Sequence, residues 1–153
     1  MKLFSEVAKE FCDWAGSPDT HELDLRDILV RLSYLNLIIL ETQQLEFGEN
    51  IPDVSVSDAE WNRVYAKFSA LPLKHYSITF NPGDLEEAPV TGDLADDLAD
   101  IYRDIKSGLF LHEAGHTVEA IWDWKQTYMT HWGRHITSAI HAIYCRLADE
   151  YAI

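Results

Sequence analysis

The sequence predicts an all-α fold, an up-and-down bundle of about four main helices with one or two short extra helices. Two patterns carry that prediction. Leu94, Leu98, Ile101, Ile105 and Leu109 step by four, three, four and four, the spacing that lines one face of an α-helix. Ile28–Leu40 reads ILVRLSYLNLIIL, apolar nearly all round, which suits a helix central in a bundle or at a dimer interface. With 47% apolar and 25% charged residues among 153, the chain can bury a real core, so 1–153 is expected to be a single helical domain.

The elements follow in order. Leu3, Val7, Phe11 and Trp14 predict an amphipathic helix over 3–15, stopped by Gly16-Ser17-Pro18. Thr20, Glu22 and Leu23 read as the start of a second helix running to about Glu46, and 48–52 as a loop. Ser57 with Glu60 forms a capping box for a third helix that presents Trp61, Val64, Tyr65 and Phe68 and ends before Pro72. Residues 73–90 look irregular, with HYSITF (75–80) a candidate short strand. From Thr91 the helical stripe begins. Gly115 reads as the turn of an αα-hairpin, and a helix resumes through Val118, Ile121, Trp122, Tyr128 and Trp132. Gly133 is expected to kink it before Ile136, Ile140, Ile143 and Leu147.

Charge excludes some partners. Twenty-six acids against 12 bases give a net charge of −14, which repels phosphate backbones, so neither nucleic acid nor an anionic membrane is an expected partner. Half of that charge sits in 84–104, with eight acids and one base. The N-terminus lacks the apolar run of a signal peptide, and the longest apolar run is too short to cross a bilayer, so a cytoplasmic location is expected. Cys12 and Cys145 read as reduced core residues, Trp14, Trp61, Trp122 and Trp124 as core or interface, and His21 and His75 as surface.

Two short motifs resemble enzymes. HEAGH (112–116) matches the zinc-protease pattern in which His112 and His116 would bind the metal and Glu113 would activate water. Gly115 argues against it, because a helix ending there takes the two imidazoles off a common face. DDLAD (96–100) matches the aspartate motif of isoprenoid synthases, and acidic pairs on facing helices also serve helical nucleotide pyrophosphohydrolases. The chain is about half a synthase's length, and its next helix offers only Glu119 and Asp123. A solvated acidic face near a helix N-terminus explains the same residues.

The hairpin itself creates a third constellation. Asp93, Asp97, Asp100 and Asp104 step by four, three and four beside the apolar stripe, and five of the seven histidines fall between 112 and 141. A turn near 114 would set Asp97 against His131, Asp93 against His135 and Asp100 near Tyr128. Asp93, Asp97, Asp100, His131, Trp132 and His135 therefore form either a metal or proton-transfer site or a buried polar lock fixing two helices in register.

The segments GDLADDLADIYRDIKSGL (92–109) and LHEAGHTVEAIWDWKQTYMTHWGRHITSAIHAI (111–143) resemble a bacterial family, the domain-of-unknown-function family numbered 5063. FCDW near the N-terminus and EWNRVYAKFSALP (60–72) extend the resemblance over most of the chain. It implies a compact helical domain in a bacterial cytosol and brings no activity, cofactor or partner. In that family an aromatic usually stands where this chain has His112, which makes HEAGH a local coincidence. Three function classes follow: a non-enzymatic binding or adaptor domain, pairing with a protein partner or a second copy; a metal-dependent hydrolase using the aspartate face with His131 and His135; and a zinc peptidase through HEAGH. The sequence specifies neither the ligand nor the cofactor, and it leaves the metal unknown.

Overall fold

The computed structural model describes residues 2–20, 23–46 and 50–153. Helix α1 (Phe4–Gly16) and α2 (Leu25–Glu41) open the chain, followed by α3 (Asp58–Phe68). Two short antiparallel strands, β1 (His75–Ile78) and β2 (Val90–Asp93), lead into α4 (Leu94–Glu113). Then α5 (Thr117–Thr127), a π turn (Tyr128–Trp132) and α6 (Gly133–Asp149) run on from one another. The architecture is the all-α bundle that the sequence predicts.

Helix α4 is its axis, packed by α1, α3, α5 and α6, while α2 closes against α1 and α6. Its stripe is buried as expected: Leu94, Leu98, Ile101 and Ile105 are wholly inside and Leu109 nearly so. A row of apolar side chains removed from water at that spacing is what makes the helix stable in this place. Asp96 and Arg103, which stand beside the stripe, are half-buried.

Caps set the boundaries. Asp24 accepts from the Asp27 N–H and starts α2 at Leu25; the helix ends at Glu41, short of the expected Glu46, where Thr42 closes it. The expected start around Glu22, the surface placement of His21 and the loop at Gly48 touch residues outside those described. Ser57 accepts from the Glu60 N–H to start α3, while the Glu60 carboxylate goes to Tyr102. Lys67, buried among the helices, donates to the carbonyls of Trp14 and Ser17 and so neutralises the negative end of α1.

Three details depart from the expectation. Strand β2 occupies 90–93, where a helical pattern was expected to have begun; Asp93 caps α4 instead of lying within it. Ile28–Leu40 is buried on one side only, with Val30, Leu37 and Leu40 exposed. Cys12 is in the core, but Cys145 is exposed, because α6 turns Ile136, Ala139, Ile143 and Leu147 inward and Cys145 lies off that stripe. No helix among the described residues is long and apolar enough to cross a membrane.

Candidate metal centre

Between α4 and α5 the chain reverses at Gly115. The His116 N–H bonds back to the Leu111 carbonyl (2.9 Å) and the Gly115 N–H to that of His112 (3.0 Å), with Gly115 at φ +91°. This is the double-bonded turn that ends a helix on a left-handed residue. It separates His112 on α4 from His116 at the start of α5, so HEAGH does not offer two imidazoles from one helical face.

The second histidine pair is different. His131 lies in the π turn and His135 one turn on in α6, and both face the acidic side of α4. The Nδ1 atoms sit 2.6 Å from Asp104 Oδ2 for His131 and 2.7 Å from Asp97 Oδ1 for His135. Their Nε2 atoms point at one oxygen, Asp100 Oδ2, at 3.6 Å and 3.3 Å. Asp97 and Asp100 are buried, 3% and 8% exposed, so their charge needs partners. Tyr76, carried by β1, donates to the other oxygen of Asp97. Trp61 Nε1 (2.8 Å) and Arg103 (2.6 Å) donate to Asp100 Oδ1.

Proton positions follow from these contacts. A carboxylate oxygen accepting at each Nδ1 fixes a proton on that nitrogen. In a neutral imidazole the Nε2 then carries a lone pair. Two such lone pairs and a carboxylate oxygen converge on one point, an arrangement that repels itself unless the rings are protonated or a cation stands there. Burial lowers the proton affinity of His135, but the Asp97 hydrogen bond, with the charges of Asp97, Asp100 and Asp96, outweighs it, and its pKa is raised. Burial raises the Asp104 carboxyl, partly countered by His131. Burial and the neighbouring Asp100 raise Asp96.

The spacing suits a metal. Ligands about 2.0–2.1 Å from a tetrahedral ion lie about 3.3–3.4 Å from one another. Asp100, His131 and His135 offer three atoms within 4.8 Å of one another, and Asp96, Asp97 and His135 form an overlapping group. Each imidazole bound through Nε2 and held at Nδ1 by a carboxylate is the usual outer shell of a metal-bound histidine.

The sequence-predicted residues divide accordingly. Asp97, Asp100, His131 and His135 come together. Asp93 does not meet His135; it caps α4 through the Ala95 N–H (2.9 Å) and accepts from Tyr65 (3.0 Å). Asp97 meets His135 rather than His131, and Tyr128 reaches Asn36 rather than Asp100. The hairpin closes at 115–116, not 114, and a π turn uses one more residue than an α turn; together they set α6 about one turn back along α4. Trp132 points away from the site, wholly buried, its indole N–H shared between the Trp124 carbonyl and Thr127. Successive helical residues are about 100° apart, so Trp132 cannot share a face with both His131 and His135. Trp61, Tyr76 and Arg103 escaped sequence reasoning, since no local pattern ties them to the aspartates. Asp104 was legible as the last step of the aspartate row.

The profile of the family described as Domain of unknown function (DUF5063) matches residues 1–149. The chain belongs to that family. Among solved structures it is similar to the crystal structure of protein BF1032 from Bacteroides fragilis, a structural-genomics target. The identity is 21%, the TM-score 0.75, and the match covers 92% of this chain and 87% of that one. At that identity the likeness is one of fold. No curated protein matches the sequence.

Proposed function

We propose that this family member is a metal-dependent hydrolase, acting as one domain over 1–153, in which a single divalent transition-metal ion is held by Asp100, His131 and His135. The observation that carries the reading is the convergence of both Nε2 atoms on Asp100 Oδ2, with Asp97 and Asp104 behind the two rings. Two imidazoles and one carboxylate leave coordination positions open, as catalytic sites do. His131 is 40% exposed on the side that a substrate would approach. An ion there would act as a Lewis acid and lower the pKa of a bound water. The chain's own part is to hold the rings: Asp97 and Asp104 fix their tautomers, and Trp61 and Arg103 fix Asp100.

Elemental analysis of untagged protein, purified without chelators, tests this. The expected result is about one zinc or iron ion per chain, lost in Asp100→Asn and His135→Ala while the helical circular-dichroism signal is kept. A wild type that stays metal-free under equimolar zinc would leave a polar lock in its place.

A second reading, a binding or adaptor domain without catalysis, is favoured by the outer side of α2. Val30, Leu37 and Leu40 are 55%, 51% and 57% exposed there, more apolar surface than a monomer's helix needs. Sedimentation of the wild type and of Leu37→Glu decides whether copies pair through it.

A further inference from the structure

The cleft in front of the candidate metal centre has a volume of about 370 Å³. His131 and His135 line it with Phe80, Arg134 and Ser138, and Asp93, Asp96 and Asp97 line it too, so that Arg134 is the one arginine or lysine in its wall. A neighbouring hollow of about 450 Å³ shares Phe80, Arg134 and Ser138, so Arg134 stands where the two meet. On the sequence, His131, Arg134, His135 and Ser138 fall at i, i+3, i+4 and i+7, one stripe of a helix. Arg134 is therefore delivered to the cleft by the same repeat that delivers the two histidines.

Its place in the cleft distinguishes it from Arg26, which likewise has no ion pair among the described residues, and its lack of a carboxylate partner distinguishes it from the other four arginines. Arg31, Arg63, Arg103 and Arg146 each pair with a carboxylate. Arg134 has no carboxylate partner among the described residues, although the chain has 26 acids; its guanidinium lies over the Phe80 ring at 5.9 Å. Stacking on a ring holds a guanidinium's plane while leaving its N–H fork free. A free fork in a cleft suits an anion, because it gives two parallel hydrogen bonds to adjacent oxygens.

We propose that the substrate is a phosphomonoester, its three phosphoryl oxygens shared between the Arg134 fork and the ion at Asp100, His131 and His135. The assignment rests on the metal reading above. Engaging the fork and an ion together takes three oxygens, which phosphate has and a carboxylate lacks. The hydroxyl of Ser138 offers one more donor on the same stripe. The reaction is hydrolysis: the oxygen of water bonds to phosphorus, the ester P–O bond breaks, and the proton given up by water ends on the leaving oxygen. No further co-reactant is needed.

The test uses inorganic phosphate as the probe, titrated calorimetrically into zinc-loaded wild type, Arg134→Gln and Arg134→Lys, with zinc stoichiometry measured in parallel. Arg134 is exposed, so both variants are expected to fold and to keep one zinc. The expected result is at least a tenfold loss of phosphate affinity in Arg134→Gln and a smaller loss in Arg134→Lys, which keeps the charge without the fork. Zinc binding with no phosphate binding, or with equal phosphate affinity in wild type and Arg134→Gln, overturns the phosphomonoester assignment and leaves the metal centre standing. A wild type that takes up no zinc overturns the metal centre and the assignment with it.

Discussion

Two stretches of this chain carry histidines four residues apart with a glycine between them, and they fold in opposite ways. In HEAGH the glycine, at φ +91°, ends α4, and His112 and His116 fall on different helices. In HWGRH the glycine stays helical at φ −62°, and His131 and His135 remain together above three aspartates. The motif that names a zinc enzyme is thus the one without the geometry. What separates the two is the apolar pattern around each glycine. After Gly115 the buried positions start a new register at Ala120 and Trp124; across Gly133 they continue from Trp132 to Ile136, Ala139 and Ile143. A motif built on helical spacing has meaning only where the core keeps the helix going.

The largest expected effect separates the pairs directly. His131→Ala and His135→Ala should each reduce bound zinc from about one per chain to almost none, measured by mass spectrometry of metal content. His112→Ala and His116→Ala should leave it unchanged. Retention of zinc in the first set and its loss in the second would reverse the comparison.

Next comes Asp97→Asn. The carboxylate accepts from both His135 and Tyr76, one on each oxygen. An amide has a single oxygen, so one donor loses its partner and the His135 tautomer is no longer fixed. Zinc affinity should fall by about 10–100-fold, as for other outer-shell partners. An unchanged zinc affinity with only a lower melting temperature would mean that Asp97 locks helices and does not orient a ligand.

How much of this was legible in the sequence depends on distance along the chain. The stripe of α4, the Ser57 cap and the Gly115 turn are set by residues within a few positions, and each reads directly. That the aspartate row and HWGRH meet follows from a short hairpin, and they do meet. The pairing was misread by one turn because the π turn has no sequence signature beyond Gly133. Trp61 and Tyr76 reach the aspartates from α3 and β1 through packing alone, and the 4-residue strand carrying Tyr76 was legible only as an alternative to irregular chain.

The two glycines offer a finer contrast. A methyl group on Gly133 would lie 2.2 Å from the Tyr128 carbonyl oxygen, the acceptor of the π turn's bond from the Gly133 N–H. Gly133→Ala should cost about 1–3 kcal/mol, the usual range for overpacking, and weaken zinc binding because the turn orients His131. At Gly115 nothing lies within 4 Å of such a methyl, and only its backbone conformation resists. Gly115→Ala should cost about 1–2 kcal/mol and leave zinc binding as it was. Equal effects of the two on zinc would show that the π turn does not position the site.

The smallest effect concerns Asp123, the acid that the hairpin carries into the same region without giving it a histidine. Burial, with the charge of Asp104 second, raises its pKa to about 6. No donor among the described residues meets its carboxylate. The sign follows from linkage: the folded chain holds this proton more tightly than the unfolded one, whose aspartate titrates near 3.9. Folding is therefore penalised as pH rises from about 4 to 6, and the full penalty persists above 6. Two pH units correspond to about 3 kcal/mol, reduced to about 1 kcal/mol here because the group is partly open to water and screened. Asp123→Asn removes the penalty. At pH 7–8 it should melt about 2–4 °C above wild type, the gap should close below about pH 4, and zinc content should not change. If the variant were less stable than wild type at pH 7, the ionised Asp123 would have an attractive partner in the fold, and burial would not be what governs its titration.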